Sequence, residues 1–122
     1  MTVPTVSIHG KNYVMVKDRV VLFYNTNPRG CIKTKIVDYK DGHWIVKATC
    51  YPDPQELPET FFTGHAHEVQ GSTQINKTSA LENCETSAVG RCLAMAGYGA
   101  EESFASADEV ANAVNQQKHD SK

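Results

Sequence analysis

The sequence predicts an α+β fold: an antiparallel three- to four-stranded sheet covered by a long helix, in the order (β)-α-β-β-β-α-α. Three observations predict it. Residues 31–69 hold three stretches with strand-like alternation or β-branched and aromatic content, separated by a Gly-containing turn and a proline-rich loop. Residues 81–96 carry small and apolar side chains at helical spacing. Two S-x-x-E sequences, Ser79/Glu82 and Ser106/Glu109, have the form of capping boxes and mark helix starts.

Taken in order, residues 2–9 alternate weakly and read as a short strand or an arm, followed by a turn at Gly10-Lys11-Asn12. In YVMVKDRVVLFY, residues 13–24, the β-branched residues favour a strand. Val16, Val20 and Phe23 nevertheless recur at helical spacing, with Lys17, Asp18 and Arg19 between them, so a brief strand leads into a helix near 16–25. Asn27-Pro28-Arg29-Gly30 ends it. In CIKTKIVDY, Ile32, Thr34 and Ile36 point one way and Lys33, Lys35 and Val37 the other. The chain turns at Lys40-Asp41-Gly42-His43 and returns as WIVKATCY. PDPQELPET is a loop, and FFTGHAHEV is a third strand with Phe61, Thr63, His65 and His67 on one face. Gly71-Ser72-Thr73 is a loop before the long helix, which starts at Ser79. Its stripe is Leu81, Cys84, Ala88, Cys92 and Met95, flanked by Val89, Leu93 and Ala96, and Gly97-Tyr98-Gly99 stops it. A shorter helix follows near 107–115. Residues 1–116 form one domain and 117–122 a polar tail.

The chain of 122 residues is 40% hydrophobic and 21% charged, the composition of a soluble globular domain. MTVPTVSIHG lacks the basic and apolar regions of a signal peptide, and no apolar stretch approaches the ~20 residues that span a bilayer. The expectation is a cytoplasmic protein that does not engage membranes. Cys31, Cys50, Cys84 and Cys92 form no CxxC pair and read as reduced core residues. His65 and His67 have metal-ligand spacing, but no carboxylate or cysteine completes a set, so no metal or cofactor is expected. Ser87 is not in a G-x-S-x-G elbow, and neither a Walker loop nor G-x-G-x-x-G is present. The expectation is a non-enzyme.

Two residues of the long helix stand out. Glu85 falls on the apolar side and needs a partner, because an unpaired buried carboxylate costs several kcal/mol. Gly90 costs ~1 kcal/mol relative to alanine in a helix interior, and its use is close approach of another element or a ligand. Ser87, Gly90 and Ala94 make a smooth strip beside Arg91.

Charge is unevenly distributed. Residues 1–50 hold eight Lys/Arg and three Asp, net +5; residues 51–122 hold four Lys/Arg and eleven Asp/Glu, net −7. Such a division suits one cationic face. Arg29, Lys33, Lys35, Lys40 and Lys47 sit on or beside the predicted hairpin, with Tyr39, Trp44 and Tyr51 interleaved for base stacking. Lys77 and Arg91 on the long helix are placed to form the opposite wall of a groove.

LENCETSAVGRCLAMAGYG with SFASADEVANAV, together with GKNYVMVKDRVVLFYNTNPRGCIKT, resembles small phage and prophage proteins over roughly residues 10–114. Through them it is similar to the essential-recombination-function (ERF) group of phage single-strand annealing proteins, whose core is similar to that of RAD-type annealing proteins. Cys92 stands where the pattern usually has alanine. The resemblance implies an annealing-protein-like core and a single-stranded DNA-binding protein that promotes annealing in phage recombination or replication. A domain of this size covers few nucleotides and annealing needs an extended scaffold, so a homo-oligomer is expected, with a ring as one form; Glu85, Gly90 and Phe104 are read as packing or interface positions. Two alternatives stand beside it. One is a protein-interaction module such as a phage inhibitor of a host enzyme. The other is a double-stranded-RNA-binding-like module, which shares the α-β-β-β-α order but calls for a lysine-rich start to its last helix, where Ser79–Glu85 is acidic.

Overall fold

The computed structural model describes residues 3–71 and 76–120. In chain order the elements are β1 (Thr5–Ile8), β2 (Lys11–Val14), α1 (Val16–Thr26), β3 (Cys31–Lys40), β4 (His43–Tyr51), β5 (Phe62–Val69), α2 (Asn76–Met95) and α3 (Ala107–Asp120). β1 and β2 form a hairpin of their own, turned at His9 and Gly10. The main sheet is the antiparallel β3-β4-β5, so the N-terminal strand does not join it as a fourth member.

β3 and β4 meet at a two-residue turn, Asp41-Gly42, with both residues at positive φ, the hand that matches strand twist. Alternation then divides the sheet. Trp44, Val46, Ala48 and Cys50 of β4, with Phe62, Gly64 and Ala66 of β5, face the helices. A bulge between Ile36 and Asp38 shifts the register of β3 by one residue. Beyond it Tyr39, not Asp38, lies opposite Trp44 on the covered side.

Helix α2 crosses that covered face. Cys84, Ala88 and Cys92, spaced four apart, are fully buried against Phe23, Val46, Ala48 and Cys50. Their small side chains bring the helix backbone down onto β5 at Gly64. A Cβ there would lie 2.3 Å from the Cys92 nitrogen and 2.7 Å from the Ala88 carbonyl oxygen. The Cys92 thiol donates to the Phe62 carbonyl at 3.0 Å, and its hydrogen bond with Cys50 together with burial raises its pKa; burial likewise raises that of Cys84. α2 is interrupted at Ser79, where φ −136° and ψ 29° are not helical, so the uninterrupted helix starts just after the serine of the S-x-x-E sequence. It ends in a Schellman pair: Tyr98 N–H donates to Leu93 C=O and Gly97 N–H to Ala94 C=O, both at 2.9 Å. The predicted loop positions Ser72 and Thr73 lie outside the described residues.

Helix α1 packs beside α2. Phe23 is fully buried and meets Tyr24 and Tyr98 edge-on, with centroids at 5.2 and 5.4 Å. Arg19 is also fully buried. Its Nη1 donates to the Gly90 carbonyl at 2.9 Å, and its Nη2 to the carbonyls of Gly99 at 3.2 Å and Ser103 at 2.9 Å. The guanidinium thereby ties α1 to α2 and to the segment after it; desolvation lowers its pKa, opposed by Glu109, Asp108 and Glu101. The Ser106 hydroxyl accepts from Glu109 N–H at 3.2 Å and caps α3, as the second S-x-x-E sequence predicts. Asp108 accepts from Val16 N–H at 2.8 Å and caps α1 from a distance, where Met15 offers no side-chain cap. α3 continues to Asp120, past the predicted end near 115 and into the predicted tail.

Candidate nucleic-acid interface

The helices leave the second face of β3-β4-β5 open. Register places Lys33, Thr49 and Thr63 in one cross-strand row and Lys35, Lys47 and His65 in the next. The bulge then brings Asp38, Ile45 and His67 into a row, and after it Lys40, His43 and Val69. Lys33, Lys35 and Lys40 are exposed and Lys47 is half-buried. The ion pairs among the described residues involve Arg29 and Arg91, and none engages these four lysines. Neighbouring strands are ~4.8 Å apart, so Lys35 and Lys47 repel directly across the ladder, at a cost of roughly 0.2–1 kcal/mol. An anion lying over the row removes that repulsion. At the far end of the sheet Lys33 Nζ sits 5.7 Å from the Tyr51 ring centroid, and Tyr51 meets Phe61 at 5.6 Å.

The remaining predicted positions fall elsewhere. Arg29 is held by Asp53 and, at 3.9 Å, by Glu56, which offset its charge. Trp44 is on the covered face and packs against the core, and the Tyr39 ring meets it at a 44° tilt with centroids at 4.1 Å. Neither stands among the lysines, so the expected base-stacking platform is not formed by them. Arg91 lies on the helix side, 3.5 Å from Glu109 and 5.1 Å from the Phe104 ring centroid. It cannot be a wall facing Lys33 and Lys35, because the sheet is between them. The side chain of Lys77 lies outside the described residues. Burial raises the Glu109 pKa, and Arg91 opposes the rise.

The long helix also differs from expectation at Glu85. The carboxylate is exposed, not buried, and accepts from the Thr34 hydroxyl at 2.7 Å at the edge strand β3. Gly90 is buried; a Cβ there would be 2.7 Å from Val16 Cγ2, so the glycine admits α1 and leaves its carbonyl open to Arg19. Phe104 is partly exposed beneath Arg91.

Three features escaped the sequence reading: the buried Arg19 clamp, Gly64 under α2, and the meeting of His43 with His67, whose Nδ1 and Nε2 are 2.9 Å apart. The first two depend on distant partners. The third had a signal, since both histidines alternate onto the lysine face once the strands are in register. Among the described residues no three His, Cys, Asp or Glu side chains are grouped to hold a metal ion. No helix there is long and apolar enough to cross a membrane.

Comparison with known families gives one result. The model of the family described as Slr1353 N-terminal dsRNA-binding domain-like matches residues 20–96, more than half of the chain. The matched segment runs from within α1 to the residue after α2 and contains β3, β4 and β5, an α-β-β-β-α unit; the β1-β2 hairpin and α3 lie outside it. The match overturns the expected kinship with the ERF and RAD-type annealing proteins, and with it the single-strand annealing function. It returns the module that the acidic start of α2 had set aside. No curated protein and no solved structure matches the chain.

Proposed function

We propose that this chain, which belongs to the Slr1353 N-terminal dsRNA-binding-domain-like family, is a non-catalytic module that binds double-helical RNA along its phosphate backbone. Its contact surface is the open face of β3-β4-β5. The observation that carries the reading is the cross-strand row Lys35–Lys47–His65, with Lys33 and Lys40 in the flanking rows and no described carboxylate paired to any of the lysines.

Double-helical RNA presents phosphates and 2′-hydroxyls in a regular array and hides its bases, so proteins bind it by shape and charge. Lysines on flexible stems suit that array as point charges. Splayed single strands are instead held by aromatic platforms; here Tyr39 and Trp44 are on the other side of the sheet, and Tyr51 with Phe61 stands at one end of the lysine rows and not between them. The chain as a whole carries −2, so attraction rests on the local face and not on overall charge.

The test is fluorescence anisotropy with an RNA duplex of about 20 base pairs, longer than the ~16 that double-stranded-RNA-binding domains span. Unlabelled single-stranded RNA and duplex DNA serve as competitors. The expected result is duplex RNA binding that weakens steeply with salt and is displaced poorly by either competitor. Equal or better displacement by the single strand would reject the reading.

A further inference from the structure

His43 and His67 occupy diagonal positions on the open face, beside the lysine row. Their rings are tilted by only 10°, with centroids 5.1 Å apart and Nδ1 of His43 at 2.9 Å from Nε2 of His67. That centroid separation is close to the longest the nitrogen–nitrogen distance allows. The rings therefore lie end to end in nearly one plane and do not overlap face to face. The contact is an in-line N–H···N bond, in which one imidazole donates and the other accepts with its lone pair. The two lone-pair positions point at each other and do not converge on a third point, so the arrangement is unsuited to chelating a metal ion.

We infer that this imidazole pair is a proton-operated control on duplex RNA binding, which deepens the proposed function and rests on it. With both rings neutral, each satisfies the other and the pair adds no charge. With both protonated, an N–H faces an N–H, the bond cannot form, and the rings part. Two cations with free donors then join Lys40 and Lys47 on the open face. Histidine is the side chain whose charge changes between about pH 5 and 8. The charged neighbours are of both signs. Asp38 is in the His67 row and Asp41 in the turn before His43; Lys40 is opposite His43, and Lys47 and His65 are in the next row. Around the β5 edge, His67 shares a cavity of about 370 Å³ with Glu68, Arg91 and Glu109, whose charges also reach it. The helices otherwise pack on the opposite face of the sheet.

Two measurements test this on the full chain. First, ¹⁵N-labelled protein is examined for a ¹⁵N–¹⁵N coupling between His43 Nδ1 and His67 Nε2. The coupling is expected at about pH 8 and lost near pH 5.5. Its absence at the higher pH overturns the inference without any RNA present. Second, affinity for the RNA duplex is measured at both pH values in the wild type, the H43N/H67N variant and H9N, whose exposed histidine is in the β1-β2 turn, away from the open face. The wild type and H9N are expected to bind roughly five-fold or more tighter at the lower pH, with a salt slope steeper by about one to two. The double variant should match wild type at high pH and lose most of that gain. A gain that survives in H43N/H67N, or binding at high pH that does not respond to acid, overturns the control and leaves the proposed function standing. Failure to bind duplex RNA at either pH removes both.

Discussion

The two faces of β3-β4-β5 are made from the same strands by the same alternation, yet they are built to opposite rules. On the covered face Gly64, Ala48, Cys50 and Ala66 meet Cys84, Ala88 and Cys92, and side-chain volume is kept small so that backbones touch. On the open face Lys33, Lys35 and Lys47 stand in adjacent rows without ion-pair partners among the described residues, and mutual repulsion is accepted. Volume limits the first face and charge the second. A substitution on the covered face should therefore change stability, and one on the open face should change binding.

The largest effect is expected at the tightest point. Gly64→Ala places a methyl group 2.3 Å from a backbone nitrogen that cannot rotate away, so α2 must lift from the sheet. A loss of about 3 kcal/mol or more is expected in urea denaturation, at the upper end for overpacking. A near-native midpoint would mean that the helix does not rest on this strand as closely as described. Next comes Arg19→Met, which removes the donors to Gly90, Gly99 and Ser103 while keeping an apolar stem. A loss of about 3 kcal/mol is expected, and Arg19→Lys should recover only part of it, because one ammonium does not reproduce the guanidinium fork.

Gly90→Ala sharpens the comparison within the covered region. The new methyl meets Val16 Cγ2 at 2.7 Å, a side-chain atom that has some freedom to shift, and alanine gains ~1 kcal/mol of helix propensity over glycine. The net loss should be about 1 kcal/mol, well below that at Gly64. If the two glycines cost the same, the distinction between backbone and side-chain contact is wrong. The smallest stability change, within about 0.5 kcal/mol, is expected for Lys35→Ala and Lys47→Ala on the open face, where loss of stem packing opposes relief of repulsion. Each should nonetheless lower the salt slope of duplex binding by about one if its ammonium meets a phosphate. Arg91→Ala, on the helix side, should leave that slope unchanged.

How legible these faces were depended on how far each feature reached along the chain. The stripe Cys84, Ala88 and Cys92 was readable because helical period is local, and the lysines of β3 because alternation is local. Arg19 was not: it looks like a surface residue of an amphipathic helix, and its acceptors come from residues 90–103. Gly64 looked like an ordinary strand glycine until α2 was placed on it. Tyr39 was assigned to the lysine set because the bulge after Ile36, which moves it to the other side, leaves no mark in composition; Trp44 was assigned to it by nearness in sequence, although alternation along β4 already sets Trp44 on the opposite face from Lys47. Glu85 read as buried because it borders the stripe, but β3 is the sheet edge, and the exposed carboxylate accepts there from the Thr34 hydroxyl. The acidic start of α2 argued against the family for a related reason: charge was sought on the helix, and it lies on the sheet.

Whether the open face is the contact surface can be read from amide chemical-shift changes as the RNA duplex is titrated into ¹⁵N-labelled protein. The largest changes are expected on the rows of Lys33, Lys35, Lys47, His65 and Lys40, with the covered face and α3 little affected. Changes concentrated on α1 and the start of α2, with the open face silent, would rule this surface out.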